Sequence, residues 1–448
     1  MRRPARVPDA SRRRPASSVR RSGPCTRPSV PALAVAAVVV LASAAPATRV
    51  AAQLVPDARA LGIRLEGEPG PLNAITDVAG VEVGHTTLIR GEGELVVGEG
   101  PVRTGVTAIL PRGREAGDST FAAWFSLNGN GEMTGTTWIE HSGILESPIL
   151  ITNTHSVGVV RDAVIDWMKR RDPSFLWALP VVAETYDGSL NDINGFHVKP
   201  EHVFSALEGA RGGPVAQGAV GGGTGMRCHG FKGGIGSASR RVGEHTVGVL
   251  VQCNQGARRD LRVAGVPVGP LMEEPTACYA DPSVSAEARR SGVPWCPGVS
   301  DGPEGAARDA GGHLPPIPEG AGSIIIVLAT DAPLLPNQIE RLVVRTSLGL
   351  ARIGGMGYNG SGDIFIGFST ANRAAAAERA ERVALEMLPN DRLNPFISAS
   401  VHATEEAILN AMLAAETLTG INGYTVPALP HERLREIIEA ANRGLEGS

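Results

Sequence analysis

Gly322 and Ser323 stand at the front of an apolar run, Gly322-Ser323-Ile324-Ile325-Ile326-Val327-Leu328. A serine there is either an ordinary strand-opening residue or a nucleophile that uses its own α-amine as base. The second reading requires the peptide bond between 322 and 323 to break. A free α-amine titrates at about 7.7–8.0, so it can take the hydroxyl proton near neutral pH without a histidine. The same hydroxyl can attack the preceding carbonyl, and glycine at that position removes bulk and tolerates a strained backbone. The dipeptide alone is weak, because Gly188-Ser189, Gly236-Ser237 and Gly360-Ser361 also occur. A Ser-His-Asp triad has little to support it. GxSxG is absent at Ser323 and the histidines are scattered, although spatial closeness defines a triad. No CxxC or HExxH pattern points to zinc, and the chemistry asks for no cofactor. The glycine-rich run 218–236 has a GGGTG core but no GK[ST]. It reads as a loop where backbones approach closely, not as a phosphate loop.

These residues need a scaffold. The chain has 448 residues, 42% hydrophobic and 20% charged, enough for a sizeable core and against global disorder. A net charge of −4 gives no support for a nucleic-acid partner. Strands are expected near 74–86, 105–110, 121–127, 147–152, 181–183 and 247–253, and a helix over 157–169. Residues 264–320, dense in Pro, Gly and acids, read as a linker or inserted loop. From Ser323 the run Ile324–Leu328 suits a strand buried on both faces. A helix from near Pro336, a strand over 363–368, and helices over 371–387, 401–418 and 432–442 follow. Mixed order argues for layered α/β, and neither half around Ser323 looks self-sufficient.

The first 52 residues differ. An arginine-rich start, an apolar run from Val30 to Ala45 and Val50-Ala51-Ala52 before Gln53 predict a cleaved export signal and a secreted or periplasmic protein. An uncleaved anchor is the alternative, although the apolar run is short of the roughly 20 residues that span a bilayer. Cys25 leaves with the signal. Cys278 and Cys296 are the expected disulfide, while Cys228 and Cys253 read equally as buried thiols.

Several stretches occur in a telling order: Asn73 to His85 (NAITDVAGVEVGH), Asn128 to Gly135 (NGNGEMTG), Glu184 to Ile193 (ETYDGSLNDI) and Val247 to Asn254 (VGVLVQCN). Gly322-Ser323-Ile324-Ile325, Ala329 to Leu334 (ATDAPL) and Gly360-Ser361-Gly362-Asp363 complete the set. From about residue 60 to 430 the chain resembles the self-processing serine aminopeptidases, the family of L-aminopeptidase/D-amidase/D-esterases and β-peptidyl aminopeptidases. The resemblance implies a four-layer α/β/β/α sandwich of N-terminal-nucleophile type. It would be one composite catalytic domain, cut after Gly322 into an α-subunit (53–322) and a β-subunit (323–448).

Ser323 would be the nucleophile and Asn254 the oxyanion donor. Tyr186 would orient substrate or intermediate, and Glu184 would hold the substrate's ammonium group. Ser361 and Asp363 match a hydroxyl–acid pair that orients the nucleophile; some members carry Glu at the second position, so Asp363 is a departure. Glu132 is a second candidate acid beside the site. Taken alone, Asn254 also reads as a turn residue, Tyr186 as a core tyrosine, Ser361 as loop chemistry and Glu132 as a solvated turn residue. The second departure is the long 264–320 stretch, which would either restrict access to the site or do nothing. The expected substrate is a small peptide or aminoacyl amide or ester, and the expected assembly is a homo-oligomer of processed pairs. Two rivals are a non-catalytic exported binding module with Ser323 inert, and an acyl transferase of the ornithine acetyltransferase type, whose members cut before Thr.

Overall fold

The computed structural model describes residues 58–115, 119–299, 310–318, 320–373 and 381–446. The expected export signal and Cys25 lie outside the described residues. The first part of the chain runs β1 (Glu82–Arg90), β2 (Val102–Leu110), β3 (Thr120–Gly129), α1 (Thr136–Ser142), β4 (Ile144–Leu145), β5 (Ile149–Asn153), α2 (Val157–Arg171), β6 (Val181–Thr185) and α3 (Pro200–Glu208). Next come β7 (Arg227–Cys228), β8 (Phe231–Lys232), β9 (Gly234–Val242), β10 (His245–Asn254), β11 (Cys278–Tyr279) and β12 (Gly322–Thr330). The last part holds α4 (Pro336–Arg352), β13 (Ser361–Ser369), α5 (Asn394–Leu413), β14 (Leu418–Thr419), β15 (Tyr424–Val426) and α6 (His431–Glu446).

Two sheets carry the architecture, one ordered β1-β2-β5-β6 and the other β4-β3-β13-β12-β10-β9. Their inner faces meet through Ile109, Ile149 and Ile151 on one side and Leu250, Ile325, Val327 and Ile366 on the other. α2 and α3 cover the outer face of the first sheet, with Val160, Val164 and Leu207 against Val106, Ala108 and Leu150. α4 and α5 cover the second, with Ile339, Leu342, Val343 and Ile408 against Val249, Ile324, Ile326 and Leu328. The layers are therefore α/β/β/α, as the resemblance implied.

β12 explains why its sequence is unbrokenly apolar. It lies inside the larger sheet, antiparallel to β10 and parallel to β13. Side chains alternate, so Ile324, Ile326 and Leu328 enter the helix layer while Ile325 and Val327 enter the layer between sheets. Each fully buried isoleucine is worth about 1.5–3 kcal/mol, and β12 has no solvent face on which a polar residue would cost less. Ser323 shares parity with Ile325 and Val327, which turns it toward the space between the sheets.

Several expectations change. Residues 74–86 are not one strand: Ile75–Asp77 form a 3-10 turn, and β1 starts at Glu82. The Asp77 carboxylate makes that turn by accepting the Leu72 and Ala74 N–H groups and the Ser239 hydroxyl. Of the helix expected over 371–387, residues 374–380 lie outside the described residues, and 381–389 is not helical. Val383, Leu385 and Met387 there are exposed, so no apolar face docks to hold a helix. α5 begins at Asn394 and not at 401, with proline in its first turn, and stops at Leu413 before β14.

The described part of 264–320 is no loose linker. β11 joins β15 and β14 in a small sheet, the Cys278–Cys296 disulfide closes the loop, and Tyr279 packs against Trp295 and Tyr424. Cys228 and Cys253, left open by the sequence, form a second disulfide across a Cα–Cα distance of 5.7 Å.

Candidate active site

Ser323 is 6% exposed, at the open end of the two sheets. Its strand register fixes its neighbours: Asn254 lies opposite on β10 and Gly362 opposite on β13. The Gly362 N–H donates to Ser323 Oγ at 3.1 Å. Gly322, one residue earlier, has φ of +153°, and a Cβ there would sit 1.9 Å from the Asn254 carbonyl oxygen. Both the conformation and the close approach exclude any side chain before the serine.

Asn254 ends β10. Its Oδ1 accepts the Arg227 N–H at 2.8 Å, and its Nδ2 donates to the Tyr186 carbonyl at 2.9 Å. A carboxamide nitrogen has two hydrogens, so one remains for a further acceptor. Tyr186 lies just past β6, is 48% exposed and lines the cleft. Gly188 makes room for it, because a Cβ there would stand 2.4 Å from the phenol oxygen.

Glu184, on β6, is only 3% exposed. Its Oε1 accepts the Glu132 N–H at 3.0 Å, and its Oε2 accepts the Thr154 hydroxyl. Burial pushes its pKa up, against the pull of these two donors. The carboxylate is therefore desolvated and short of a cation, which suits it to an ammonium ligand. The Glu132 side chain is exposed on the same wall.

Ser323, Asn254, Tyr186, Glu184 and Glu132 thus share one cleft of about 630 Å³. Ser361 and Asp363 do not line it. They bond to each other at 2.6 Å on β13, and Asp363 shares parity with Phe365, which belongs to the helix layer. Burial raises the Asp363 carboxyl to about 6 against the pull of the Ser361 hydroxyl and the Ile324 backbone. The pair flanks the 322–323 bond from behind, since Ser361 lies opposite Gly322 and Asp363 opposite Ile324.

Some groups at the site were not singled out from sequence. Thr154 and the Gly362 N–H are two of them. Arg227, and from the insertion Arg290 and Pro315 to Pro318, also line the cleft. The Thr-His pair just after the strand expected over 147–152 was a usable signal for Thr154. A backbone donor such as Gly362 leaves no trace in residue type. Among the described residues no group of three or more His, Cys, Asp or Glu is placed to hold a metal ion. The set can carry out acyl transfer: a hydroxyl, amide donors beside it, and an anionic seat for a cation.

The model of peptidase family S58 matches residues 73–426. The chain belongs to peptidase family S58. It is 53% identical over 392 residues to a beta-peptidyl aminopeptidase, BapA, of Sphingosinicella microcystinivorans, covering 87% of this chain and 93% of that protein. Among solved structures it resembles the L-aminopeptidase D-Ala-esterase/amidase of Ochrobactrum anthropi, a prototype of the serine aminopeptidases and a variant of the Ntn hydrolase fold. Identity there is 43% and TM-score 0.73, over 87% of this chain and 99% of that one. A Burkholderia sp. beta-aminopeptidase matches with 43% identity and TM-score 0.71, over 86% and 98%. As a family S58 member with these relatives, the chain is a serine aminopeptidase with the Ntn-type fold.

Proposed function

We propose that the chain cuts itself after Gly322 and that Ser323, as a new N-terminus, releases N-terminal β-amino acyl residues from short peptides. The observation that carries this reading is a buried serine behind an obligatory glycine, in the same cleft as a desolvated carboxylate. The β-amino acyl class comes from the relatives called beta-peptidyl aminopeptidase and beta-aminopeptidase.

Ser323 Oγ attacks the substrate carbonyl and passes its proton to the α-amine, and Asn254 Nδ2 donates to the developing oxyanion. The α-amine returns the proton to the departing amine. Water then opens the ester on Ser323 by the reverse route. Glu184, aided by Glu132, holds the ammonium group, and Tyr186 closes the acyl side. Ser361 and Asp363 hold the strand beside the new N-terminus. The subunits are 53–322 and 323–448, assembled further into a homo-oligomer and exported by the N-terminal signal.

The test is a denaturing gel of the purified protein with N-terminal sequencing, and turnover of β-alanyl and L-alanyl p-nitroanilides. Two bands, the smaller starting Ser-Ile-Ile-Ile, and faster β-alanyl turnover are expected. Ser323→Ala removes both processing and turnover. A single intact band with no turnover sinks the proposal.

A further inference from the structure

The cleft is polar in the electrical sense. Strand order sets Ser323 on β12 between two different walls. Toward β13 and β3 lie Glu132 and Glu184; a Cβ at Gly131 would be 3.2 Å from Gly362 Cα and 3.3 Å from Glu184 Oε1. Beyond β10 lies Arg227, whose backbone N–H holds Asn254 and which lines the cleft. Among the described residues its guanidinium makes one hydrogen bond, Nη1 to the Tyr424 hydroxyl at 3.3 Å, and its buried Nε makes none. From the insertion, Arg290 joins the lining, anchored through Nη1 on the Pro315 carbonyl at 2.9 Å and through its backbone N–H on the Tyr279 hydroxyl. Among the described residues, neither arginine has a carboxylate within ion-pair distance.

Two half-buried guanidiniums with spare donors in one cleft, neither paired with a carboxylate among the described residues, suit an anion. The planar fork of arginine suits a carboxylate in particular. The acyl half of a substrate is fixed by its ammonium at Glu184 and its carbonyl at Ser323, so the arginines face the leaving group. We propose that Arg227 and Arg290 bind the terminal carboxylate of the departing residue, making free-acid dipeptides and tripeptides the preferred class. This rests on the serine aminopeptidase reading above. The insertion then sets specificity: it delivers Arg290 and, with Pro315 to Pro318, walls the cleft. A cleft of about 630 Å³ suits a ligand of that size, since pockets of roughly 300–1,000 Å³ bury most of a small molecule.

The experiment compares kcat/KM for β-alanyl-alanine and for β-alanyl-alanine amide, with β-alanyl p-nitroanilide as a third substrate. A charge-assisted hydrogen bond is worth about 10–100-fold, so the wild type favours the free acid over the amide by at least about 10-fold, mainly through KM. In Arg290→Leu and Arg227→Met the ratio of free acid to amide falls toward one. The wild-type ratio needs no variant to fold, and it decides first. Equal turnover of acid and amide by the wild type overturns the carboxylate site, as does a ratio unchanged in both variants. In either case continued turnover of the p-nitroanilide leaves the aminopeptidase reading standing. A wild type inactive on all three substrates overturns both.

Discussion

Gly322→Ala is the sharpest perturbation the site offers, because the added atom has a known position. Its Cβ would lie 1.9 Å from the Asn254 carbonyl oxygen and 2.9 Å from the carbonyl carbon, where ordinary contacts begin near 3.4 Å. Both atoms are backbone at the end of the β10–β12 ladder, so no side chain can swing away. β12 and β10 must separate by about 1.5 Å at that point, more than a packed interior accommodates without cost. The φ of +153° adds strain of roughly 1–3 kcal/mol for a residue with a side chain. The shift falls on the bond to be cut and on Asn254 together. A misplacement of about 1 Å between reacting groups costs about 100-fold in rate, so self-cleavage of the alanine variant should slow by at least that factor. The assay is a time course of freshly made precursor on a denaturing gel, with thermal unfolding to show that the chain still folds. A folded variant that cleaves within about threefold of the wild-type rate would refute the reasoning about glycine.

Three further outcomes are expected. Glu184→Gln should raise KM for substrates with a free amine about 10-fold or more, with a smaller change in kcat; in the wild type KM should rise on acidification, and earlier than for an ordinary glutamate, because burial holds this pKa up. Equal KM values across the pH range in both proteins would count against the ammonium role. Asp363 binds a proton in the folded state up to about pH 6 but from about 3.8 downward when unfolded, so its contribution to stability is lost as pH rises through that window, by roughly 3 kcal/mol in all. Chemical denaturation of Ser323→Ala with and without Asp363→Asn at pH 4 and pH 7 checks this, and a stability difference that does not change with pH contradicts it. Finally, Glu406 accepts from Arg59, Asn73 and Arg240 at 0% side-chain exposure, with Arg240 1% exposed. Glu406→Ala strands a buried guanidinium and should cost about 3–5 kcal/mol of stability, read from the shift in denaturation midpoint.

What was legible in the sequence was local. The burial of Ile324–Leu328 on both faces follows from one run of residues, and the helix starting at Pro336 follows from one proline and one apolar stripe. The motif residues Glu184, Tyr186, Asn254 and Ser323 were readable as an ordered set, and the fold brings all four to one cleft. What was not legible depends on distant pairing. Nothing near Cys228 says that Cys253 lies within bonding reach, and nothing near Ser361 says that its hydroxyl turns to the helix layer and away from the cleft. The insertion looked loose because its cohesion comes from β15, more than a hundred residues later. The described end of the helix expected over 371–387 shows the opposite error: residues 381–387 follow the helical period, but Val383, Leu385 and Met387 are exposed and no apolar face docks.

If the chain is cut after Gly322 as proposed, the order of the larger sheet has a consequence for folding afterwards. Read across, it goes β4-β3, then β13-β12, then β10-β9. The first and last pairs precede residue 323, and the middle pair begins there or one residue before. Once the bond is broken, one polypeptide's strands are clamped between two pairs from the other. Before the cut, forming this sheet is a unimolecular event, with a rate independent of concentration. After the cut and denaturation, the same sheet must form by a bimolecular encounter, and the middle pair must slot between β3 and β10, each of which lacks one of its two partners without it. Recovery of activity should then fall with dilution for the processed protein but not for an uncut precursor. On the proposed cleavage, the bond is a one-way step: the intact chain holds the directions for assembly, and the cut protein would keep the result without the means to repeat it at low concentration.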